Sequence, residues 1–474
     1  MTIVMKFGGT SVQNAECIRR AASIVAKSAG EHTLIVVVSA LAKTTDQILE
    51  CMRASADGEE QRLRRTLEII EERHRRVIDD LLPLESGRTV HCEITKLLKH
   101  LQDFCEALLQ LRSLTPQVLD VALSAGERLS AHIFSAALKE LGFASCYVDS
   151  REVIVTDDRF GDASVNMESS WVHAQQKLLA IIDGGVIPVV TGYSGSTPKG
   201  DPTTLGRGGS DTTATVLGAL LDADEVWIWT DVDGVLTADP RVCPSARPLP
   251  EVTFEEAIEL SYYGAKVIHH KAVQPAMEAQ IPVWIKNSFN PGFPGTKITL
   301  RTTVKNGPIK AVTAIRATSL ITIVGRHDLY VAADIVGRLF LKLAHERIDI
   351  LFSTQSSAES SLGFVVRAED TDRVAAAIEL IFRAELKQGI LKNVAIERNL
   401  SVVAVLGERM KGVPSILGRL FTAVAKCDAN VIAAAQGATE RSICFAVQAD
   451  FACDAVNSVH EEFFAPEMAY AHHA

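Results

Sequence analysis

Residues 5–11 read Met-Lys-Phe-Gly-Gly-Thr-Ser (MKFGGTS) and join an apolar run to a helical pattern near the start of the chain. The flanking stretches 3–7 and 33–38 (TLIVVV) are short and rich in β-branched residues, which is typical of buried strands. Between them, apolar residues recur at helical spacing: Val12, Ala15, Ile18, Ala22 and Val25. The pattern therefore predicts a β-loop-α-β unit.

The loop of this unit contains Lys6, Gly8 and Gly9. We expect the helix to begin near Thr10 or Ser11, so that its backbone N–H groups and positive end could hold a phosphate. The glycine spacing matches neither the P-loop nor the dinucleotide-binding fingerprint. Taken alone, a Gly-Gly pair after a strand is more often only a turn.

Further apolar runs alternate with helical segments: GVIPVV (185–190), EVWIWT (225–230) and IPVWI (281–285). This alternation predicts a parallel sheet with helices on its faces, and ligands bind such sheets beyond the carboxyl ends of the strands. The polar residues at these ends are Gly8, Gly9, Ser39, Gly192, Thr230, Asp231, Lys286 and Asn287. The predicted site is therefore one rim of the sheet.

Composition excludes several classes of protein. The chain has 474 residues, 47% of them hydrophobic, which is enough for two or three domains with buried cores. A formal net charge of −10 disfavours a general nucleic-acid binder. The nine cysteines are scattered without metal-ligand spacing, and no stretch resembles an export signal or a membrane span. We expect a cytoplasmic protein with reduced thiols, no metal cluster, no nucleic-acid partner and no membrane partner.

A second glycine cluster, GRGGSD (206–211), also opens a helical pattern, with Ser210 or Asp211 as the expected N-cap. Arg207 in this cluster could bind a carboxylate or a phosphate through its forked guanidinium. The alternative is a capped loop with a solvated arginine. Two cationic glycine loops in one sheet protein favour a binding site.

Two other segments have alternative interpretations. Gly126-Glu127-Arg128 begins a predicted helix over 127–141, where the carboxylate could simply stabilise the helix dipole. The paired aspartates of TDVDGV (230–235) lack the other ligands of a calcium loop, so a hydrogen-bonding edge for a nucleotide fits better.

The charged stretch 57–80 predicts a solvated helix that packs against a partner helix around 93–111.

Beyond residue 300 the chain repeats itself. Ile335 to Phe340 (IVGRLF) recurs as Ile416 to Phe421 (ILGRLF), and at the same offset of 81 residues Gln355 matches Gln436 and Phe364 matches Phe445. Ordered matches at a constant offset indicate a duplicated module. Each copy predicts a strand, a helix, two strands and a helix.

Taken in order, the motifs KFGGTS, VVSA (37–40), GER, GRGGSD, TDVDGV, YGAKVIH (263–269) and IKNS (285–288) resemble those of aspartate kinases. The duplicated tail resembles the tandem ACT domains of that family. It is most similar to the threonine-inhibited branch, in which the kinase is often fused to homoserine dehydrogenase, but no dehydrogenase follows in this sequence.

The resemblance implies an α/β amino-acid-kinase fold, with a mainly parallel eight-stranded sheet between helices over residues 1–300. Two α+β ACT domains would follow over 308–388 and 389–474, with soft boundaries because the family nests the first module within the second. The implied reaction transfers the γ-phosphoryl group of ATP to the β-carboxylate of L-aspartate, with Mg²⁺ bridging the phosphates. A homodimer or larger assembly through the ACT domains is also implied.

The resemblance also implies roles for individual residues. Lys6, Gly8 and Gly9 would stabilise the transferring phosphoryl group, and Asp211 would orient Lys6. The substrate-binding set is Ser39, Thr45, Glu127, Arg207 and Ser210. The nucleotide-binding set is Thr230, Asp231, Leu236, Arg241, Lys266 and Val267. Gln355 and Gln436 match positions linked to threonine binding, so threonine, alone or with lysine, is the expected effector; His270 departs from the proline usual in the family.

Two rival functions stay open at this point. The first is another kinase of the same fold, acting on acetylglutamate, glutamate, carbamate or UMP. The second is an amino-acid-sensing regulatory protein whose decayed kinase domain only supports the ACT pair, although intact Lys6, Glu127, Arg207 and Asp211 favour an enzyme. The pathway that uses the product is also open: lysine, threonine, methionine or ectoine synthesis.

Overall fold

The computed structural model describes residues 1–265, 268–303, 308–325, 329–356, 361–407, 410, 413, 415–437 and 441–464, with the side chains of 329–332 excepted. The chain divides into two compact units. The first comprises Met1–Val235, Pro248–Ile258 and Val267–Val304. The second comprises Leu236–Arg247, Glu259–Lys266 and Lys305–Ala474.

The first unit is built on an eight-stranded sheet. Its strands, with a separate β5–β6 hairpin, are β1 Thr2–Phe7, β2 Thr33–Val38, β3 Ser145–Val148, β4 Ile187–Thr191, β5 Ser194–Ser196, β6 Pro202–Thr204, β7 Glu225–Thr230, β8 Glu251–Thr253, β9 Val283–Asn287 and β10 Thr296–Thr299. The sheet order is β3-β4-β2-β1-β7-β9-β10-β8, and every neighbouring pair is parallel except β9–β10. The predicted mainly parallel eight-stranded sheet is confirmed.

The strand registers place the carboxyl ends of neighbouring parallel strands side by side. Phe7 at the end of β1 pairs with Val38 of β2 on one side and with Trp229 of β7 on the other. In turn, Val38 pairs with Thr191 of β4, and the last residue of β7 pairs with Asn287 of β9. The residues that follow β1, β2, β4, β7 and β9 therefore share one rim of the sheet.

Helices α1 to α10 accompany this sheet. They are α1 Ala15–Ala29, α2 Thr44–Asp57, α3 Glu60–Leu81, α4 Leu84–Leu111, α5 Pro116–Leu123, α6 Ala125–Glu140, α7 Met167–Asp183, α8 Gly209–Leu220, α9 Phe254–Tyr262 and α10 His270–Glu278. Because side chains alternate along a strand, Ile3, Met5 and Phe7 of β1 enter the core shared with α1 and α6, while Lys6 lies on the opposite face, where α8 packs. The predicted helix pair is confirmed as α3 and α4.

The second unit contains a six-stranded sheet in the order β12-β13-β11-β14-β16-β15. Its elements are β11 Ala311–Gly325, α11 Leu329–His345, β12 Phe352–Ser356, β13 Ser361–Arg367, α12 Thr371–Ile381, α13 Arg383–Lys387, β14 Leu391–Leu406, α14 Ile416–Ala425, β15 Ala433–Gln436, β16 Ser442–Gln448 and α15 Ala452–Phe464. The helix-strand-strand-helix pattern occurs twice, as the repeat predicts. Among the described residues of both units, no helix is long and apolar enough to cross a membrane.

Two hydrophobic cores are described in the second unit, and the long strands β11 and β14 contribute to both. Phe364 lies in one core and its repeat partner Phe445 in the other. Strand β11 contributes Val312 to the Phe445 core and Ile321 to the Phe364 core, and β14 is divided in the same way. The domain limits at 388 and 389 stay predictions, because β11 and β14 each serve both cores.

The two phenylalanines allow a test of this duplicated packing. Phe364 and Phe445 are fully buried, so we expect Phe364→Ala and Phe445→Ala each to destabilise the second unit by about 3–5 kcal/mol. Leu380→Ala is the matched control, because Leu380 is 64% exposed. The measurement is urea unfolding followed by circular dichroism. A loss below about 1 kcal/mol at either phenylalanine would contradict the described cores.

Candidate active site

The turn after β1 differs from the predicted one. A single 3₁₀ turn covers Gly9–Val12, and α1 begins only at Ala15, where Asn14 Oδ1 accepts the N–H of Cys17 at 2.9 Å. The predicted helix start near Thr10 or Ser11 is therefore wrong. The hydroxyl of Ser11 does not cap a helix, because it lies 2.8 Å from that of Ser288, beyond the end of β9.

The two glycines of this turn have different surroundings. The Gly8 N–H donates to Trp229 O at 3.0 Å, which extends the β1–β7 pairing by one residue. This N–H is therefore engaged and not available to a phosphate, contrary to the prediction. The Gly9 N–H makes no hydrogen bond to any described residue, and a Cβ at Gly9 would lie 3.0 Å from Ala40 O. Of the two glycines, Gly9 keeps its backbone donor for an anion in the described structure.

Lys6 and Asp211 form an ion pair beside this turn. The distance from Lys6 Nζ to Asp211 Oδ1 is 2.5 Å, and both side chains are largely buried. Asp211 lies in the first turn of α8, whose N-cap is Gly208 with φ of +75°. The expected capping by Ser210 or Asp211 is therefore wrong. The Asp211 carboxylate is paired with Lys6 instead of closing its own helix.

The arginine loop, residues 204–208, is closely packed on both sides of an exposed Arg207. A Cβ at Gly206 would lie 2.5 Å from Asp162 Oδ1, and one at Gly208 would lie 2.5 Å from His269 Cβ. Both glycines also have positive φ, which other residues rarely adopt. Within the described ranges, Arg207 has no ion pair. The backbone of this loop is thus restricted to a conformation that leaves the Arg207 guanidinium exposed and without an ion pair in the described structure.

Glu127 is a buried carboxyl group at the start of α6. Burial raises its pKa to about 7, although a hydrogen bond from the Ala40 backbone and the charge of Lys6 lower it. Its Oε2 has no hydrogen-bond partner in the described structure, and the buried hydroxyls of Thr44 and Ser130 also lack one. A buried polar atom without a partner is costly. The arrangement therefore suits a ligand that donates to Glu127, such as an ammonium group.

The remaining predicted substrate residues lie on the same rim. The Ser39 N–H donates to Phe7 O at 3.1 Å, which places its side chain directly beyond β2. Thr45 is half-buried in the first turn of α2. Ser210 is buried against Gly192, where a Cβ would lie 2.6 Å from the serine side chain. The structure brings all three to the ends of neighbouring strands or helices.

The residues predicted to bind the nucleotide do not all belong to one unit of the structure. Thr230 ends β7 and accepts the Ser288 N–H on its carbonyl at 2.9 Å, and Asp231 beside it is exposed. Leu236 and Arg241 belong to the second unit, where the Arg241 guanidinium is paired with Asp239 at 2.6 Å. Lys266 and Val267 lie outside the described residues.

The predicted effector residues lie at equivalent positions in the second unit. Gln355 is on β12 opposite Leu362, and Gln436 is on β15 opposite Ile443. Both glutamines are exposed. The structure therefore places them as the repeat predicts, at the two edge strands of the six-stranded sheet.

Sequence reasoning missed Tyr193, which follows the strand-end residue Gly192. Tyr193 has φ of +73°, which is unusual for a bulky residue, and its N–H donates to Thr213 Oγ1 at 3.0 Å. A Cβ at Gly209 would lie 2.7 Å from its ring, and burial raises the pKa of its phenol to about 12. An aromatic residue just beyond a predicted strand end was the available signal.

The model of the amino acid kinase family matches residues 1–287, and that of the ACT domain matches residues 403–463. The chain belongs to the amino acid kinase family. Within the family it is similar to aspartokinases. Aspartokinase 2, chloroplastic, of Arabidopsis thaliana is 30% identical over 493 residues, which cover 98% of this chain and 84% of the relative.

Two further comparisons agree with this family assignment. The bifunctional aspartokinase/homoserine dehydrogenase of Buchnera aphidicola is 30% identical over 466 residues, covering 97% of this chain and 56% of the relative. This chain thus spans about half the length of the bifunctional relatives that it matches. The crystal structure of E. coli aspartokinase III in complex with aspartate and ADP (R-state) is 29% identical, with a TM-score of 0.83, covering 98% of this chain and 100% of that chain.

The raised pKa of Glu127 predicts a dependence of stability on pH. Because the native state disfavours the charged form, stability falls as pH rises from the ordinary pKa of 4.5 to about 7, and the loss is complete above pH 7. At 1.36 kcal/mol per pKa unit the loss is about 3 kcal/mol. We therefore expect Glu127→Gln to unfold at a higher temperature than the wild type at pH 8 and at a similar one at pH 4.5. Equal differences at both pH values would contradict the burial of a titrating carboxyl group.

Proposed function

We propose that this chain is an aspartate kinase, which transfers the γ-phosphoryl group of ATP to the β-carboxylate of L-aspartate. The product, 4-phospho-L-aspartate, would enter the synthesis of aspartate-derived amino acids or ectoine. The main support is the buried Lys6–Asp211 ion pair on the rim where Glu127 lacks a partner for one oxygen. The similar E. coli enzyme was crystallised with aspartate and ADP, which agrees with this pair of ligands.

The acceptor carboxylate requires no general base. Its reference pKa is about 3.9, so it is already ionised at neutral pH. The catalytic difficulty is to bring two anions together, which calls for fixed positive charge and backbone donors. Lys6 Nζ and the free Gly9 N–H supply these, while Asp211 holds the lysine in place. Gly8 would contribute its hydrogen bond to Trp229 O, which fixes the turn to β7, in place of a phosphate-binding N–H.

Recognition of aspartate would depend on its zwitterionic end. An ammonium group beside Glu127 Oε2 would give this oxygen its missing partner and keep the carboxyl group ionised. Arg207, which is exposed and has no ion pair among the described residues, can take the α-carboxylate through two parallel hydrogen bonds. The side chains of Ser39, Thr45 and Ser210 would line the pocket.

ATP would be bound next to Thr230 and Asp231, with Leu236, Arg241, Lys266 and Val267 as further proposed contacts. No cluster of three metal-ligating side chains occurs in the described parts of the chain. The residues therefore fit a Mg²⁺ ion that is held chiefly by the nucleotide phosphates, as Mg²⁺ commonly is in kinases. When bound, this ion would neutralise phosphate charge during transfer.

The unpaired Glu127 also separates the rival substrates. Acetylglutamate, carbamate and UMP have no ammonium group, so each would offer Glu127 Oε2 only an uncharged donor, which compensates a buried carboxylate less than an ammonium group does. Glutamate keeps the ammonium group but is one methylene longer than aspartate. A merely regulatory protein would have no need for the buried Lys6–Asp211 pair, which costs desolvation.

We also infer regulation and assembly through the second unit. The duplicated modules support binding of threonine, alone or with lysine, near the exposed Gln355 and Gln436. Two chains would pair through these modules. Such control would let an end product of a threonine or lysine route limit the use of ATP in its first step.

Substitutions at the two cationic groups should affect different kinetic parameters. We expect Lys6→Ala to lower kcat about 100- to 1,000-fold, because it removes charge stabilisation in the transition state. Arg207→Ala should raise the KM for aspartate about 10- to 100-fold and leave the KM for ATP unchanged, since it removes a charge-assisted hydrogen bond to aspartate alone. Trapping the acyl phosphate with hydroxylamine measures both.

Matched surface variants control for nonspecific effects. Lys27→Ala and Arg64→Ala remove exposed charges away from the rim and should retain wild-type kinetics. Circular dichroism shows whether Lys6→Ala still folds despite the unpaired Asp211. Near-normal turnover of folded Lys6→Ala, or a change in the KM for ATP alone in Arg207→Ala, would overturn the assigned roles.

Effector binding is tested on the same assay. We expect threonine at millimolar concentration, alone or with lysine, to lower the rate, and the double variant Gln355→Ala, Gln436→Ala to resist this inhibition. Leu380→Ala, an exposed change in the same unit, should keep it. An unchanged wild-type rate in the presence of both threonine and lysine would contradict this proposal.

A further inference from the structure

We propose that Asp120 is a positioning residue for aspartate recognition, holding the arginine loop in register with Glu127. This inference rests on the proposed aspartate kinase function and concerns the affinity for its amino-acid substrate. Asp120 does not reach the substrate in this scheme. It acts through Thr204 and Gly161, which lie beside Arg207.

Asp120 lies on α5, and its carboxylate is fully buried. Oδ2 accepts the N–H of Gly161 at 2.8 Å and the N–H of Thr204 at 2.9 Å. Oδ1 accepts the hydroxyl of Thr204 at 2.6 Å. A buried carboxylate is tolerated only when such donors replace water. Its described partners belong to a loop (Gly161) and to the end of β6 (Thr204), both distant in sequence from α5.

Both segments lie next to the arginine loop. Thr204 is the last residue of β6, three residues before the arginine, and its carbonyl accepts the Ala163 N–H at 2.9 Å. Gly161 precedes Asp162, whose Oδ1 would lie 2.5 Å from a Cβ at Gly206, where φ is also +71°. Through its hydrogen bonds, the Asp120 carboxylate therefore connects the two chain segments between which the arginine loop is packed.

The same helical segment also carries Glu127. Helix α5 ends at Leu123 and α6 begins at Ala125, with Ser124 in helical conformation between them. Asp120 and Glu127 are thus seven residues apart on nearly continuous helix. The proposed ammonium site and the anchor of the proposed carboxylate site are connected through about two helical turns.

This connection matters because aspartate would be held at both ends of its zwitterion. Two charged contacts act together only if their separation matches that of the ligand, and loss of one hydrogen bond to a charged group lowers the affinity about 10- to 100-fold. Hydrogen bonds from Asp120 fix one contact relative to the other. A loosened arginine loop would therefore weaken aspartate binding more than it slows phosphoryl transfer at Lys6.

The test compares kinetic constants of variants in the hydroxylamine assay. We expect Asp120→Ala to raise the KM for aspartate about 10- to 100-fold, with kcat changed less than about threefold and the KM for ATP unchanged. Asp120→Asn should restore near-wild-type values, because an amide oxygen can accept both N–H groups while its NH₂ donates to the Thr204 hydroxyl.

Three further variants sharpen the comparison. Thr204→Val removes only the hydroxyl contact and should raise the KM for aspartate by a smaller factor, about 3- to 10-fold. Thr204→Ser keeps that contact and should match the wild type. Gln117→Ala changes an exposed residue on the same helix and should have no effect.

Opposite outcomes would overturn the proposal. An unchanged KM for aspartate in Asp120→Ala and Thr204→Val would do so, as would an equal loss of kcat and of affinity for both substrates. Asp120→Asn as impaired as Asp120→Ala would also contradict it. If Asp120→Ala does not fold, Thr204→Val decides the question. A wild-type protein that forms no acyl hydroxamate would instead overturn the proposed function.

Discussion

The ion pair between Lys6 and Asp211 joins the end of a central strand to the first turn of a helix on one face of the sheet. Both side chains are largely removed from water, so each charge depends on the other, and loss of one partner of such a pair typically costs about 3–5 kcal/mol. Asp211 gains further from its place at the positive end of α8. The position of the Lys6 ammonium group is thereby set by the fold before any ligand binds.

Much of this arrangement could be predicted from apolar runs and the residues that follow them. Parallel strands bring their carboxyl ends to one edge, so Gly8, Ser39 and Thr230 were expected on one rim; that they are neighbours follows from the order β2-β1-β7, which the sequence did not predict. Helix starts were less predictable. Ser11 and Asp211 are typical capping residues, but each has a distant partner, Ser288 and Lys6 respectively. Such tertiary partners override local capping preference and leave no mark in the nearby sequence.

The second unit shows a similar limit. A constant offset of 81 residues predicts two modules with equivalent phenylalanines, and the two cores confirm them. The pattern could not predict that β11 and β14 would each run through both cores, because a pattern along the chain divides it into consecutive pieces. Nor could it predict that Ala238 and Cys243, which follow a strand of the first unit, would join the Phe445 core.

The two carboxylates at positions 120 and 127 have opposite surroundings on one helical segment. Asp120 accepts three hydrogen bonds from the protein, whereas Glu127 keeps one buried oxygen without a described partner and a pKa raised to about 7. A structure selected for stability alone would satisfy both groups or replace them. The difference is explained if Asp120 positions segments of the protein and Glu127 binds a cationic group of a ligand. A ligand that donates to Glu127 would then offset the free-energy cost of its buried, unpaired oxygen. This gain in binding free energy favours ligands with an ammonium group.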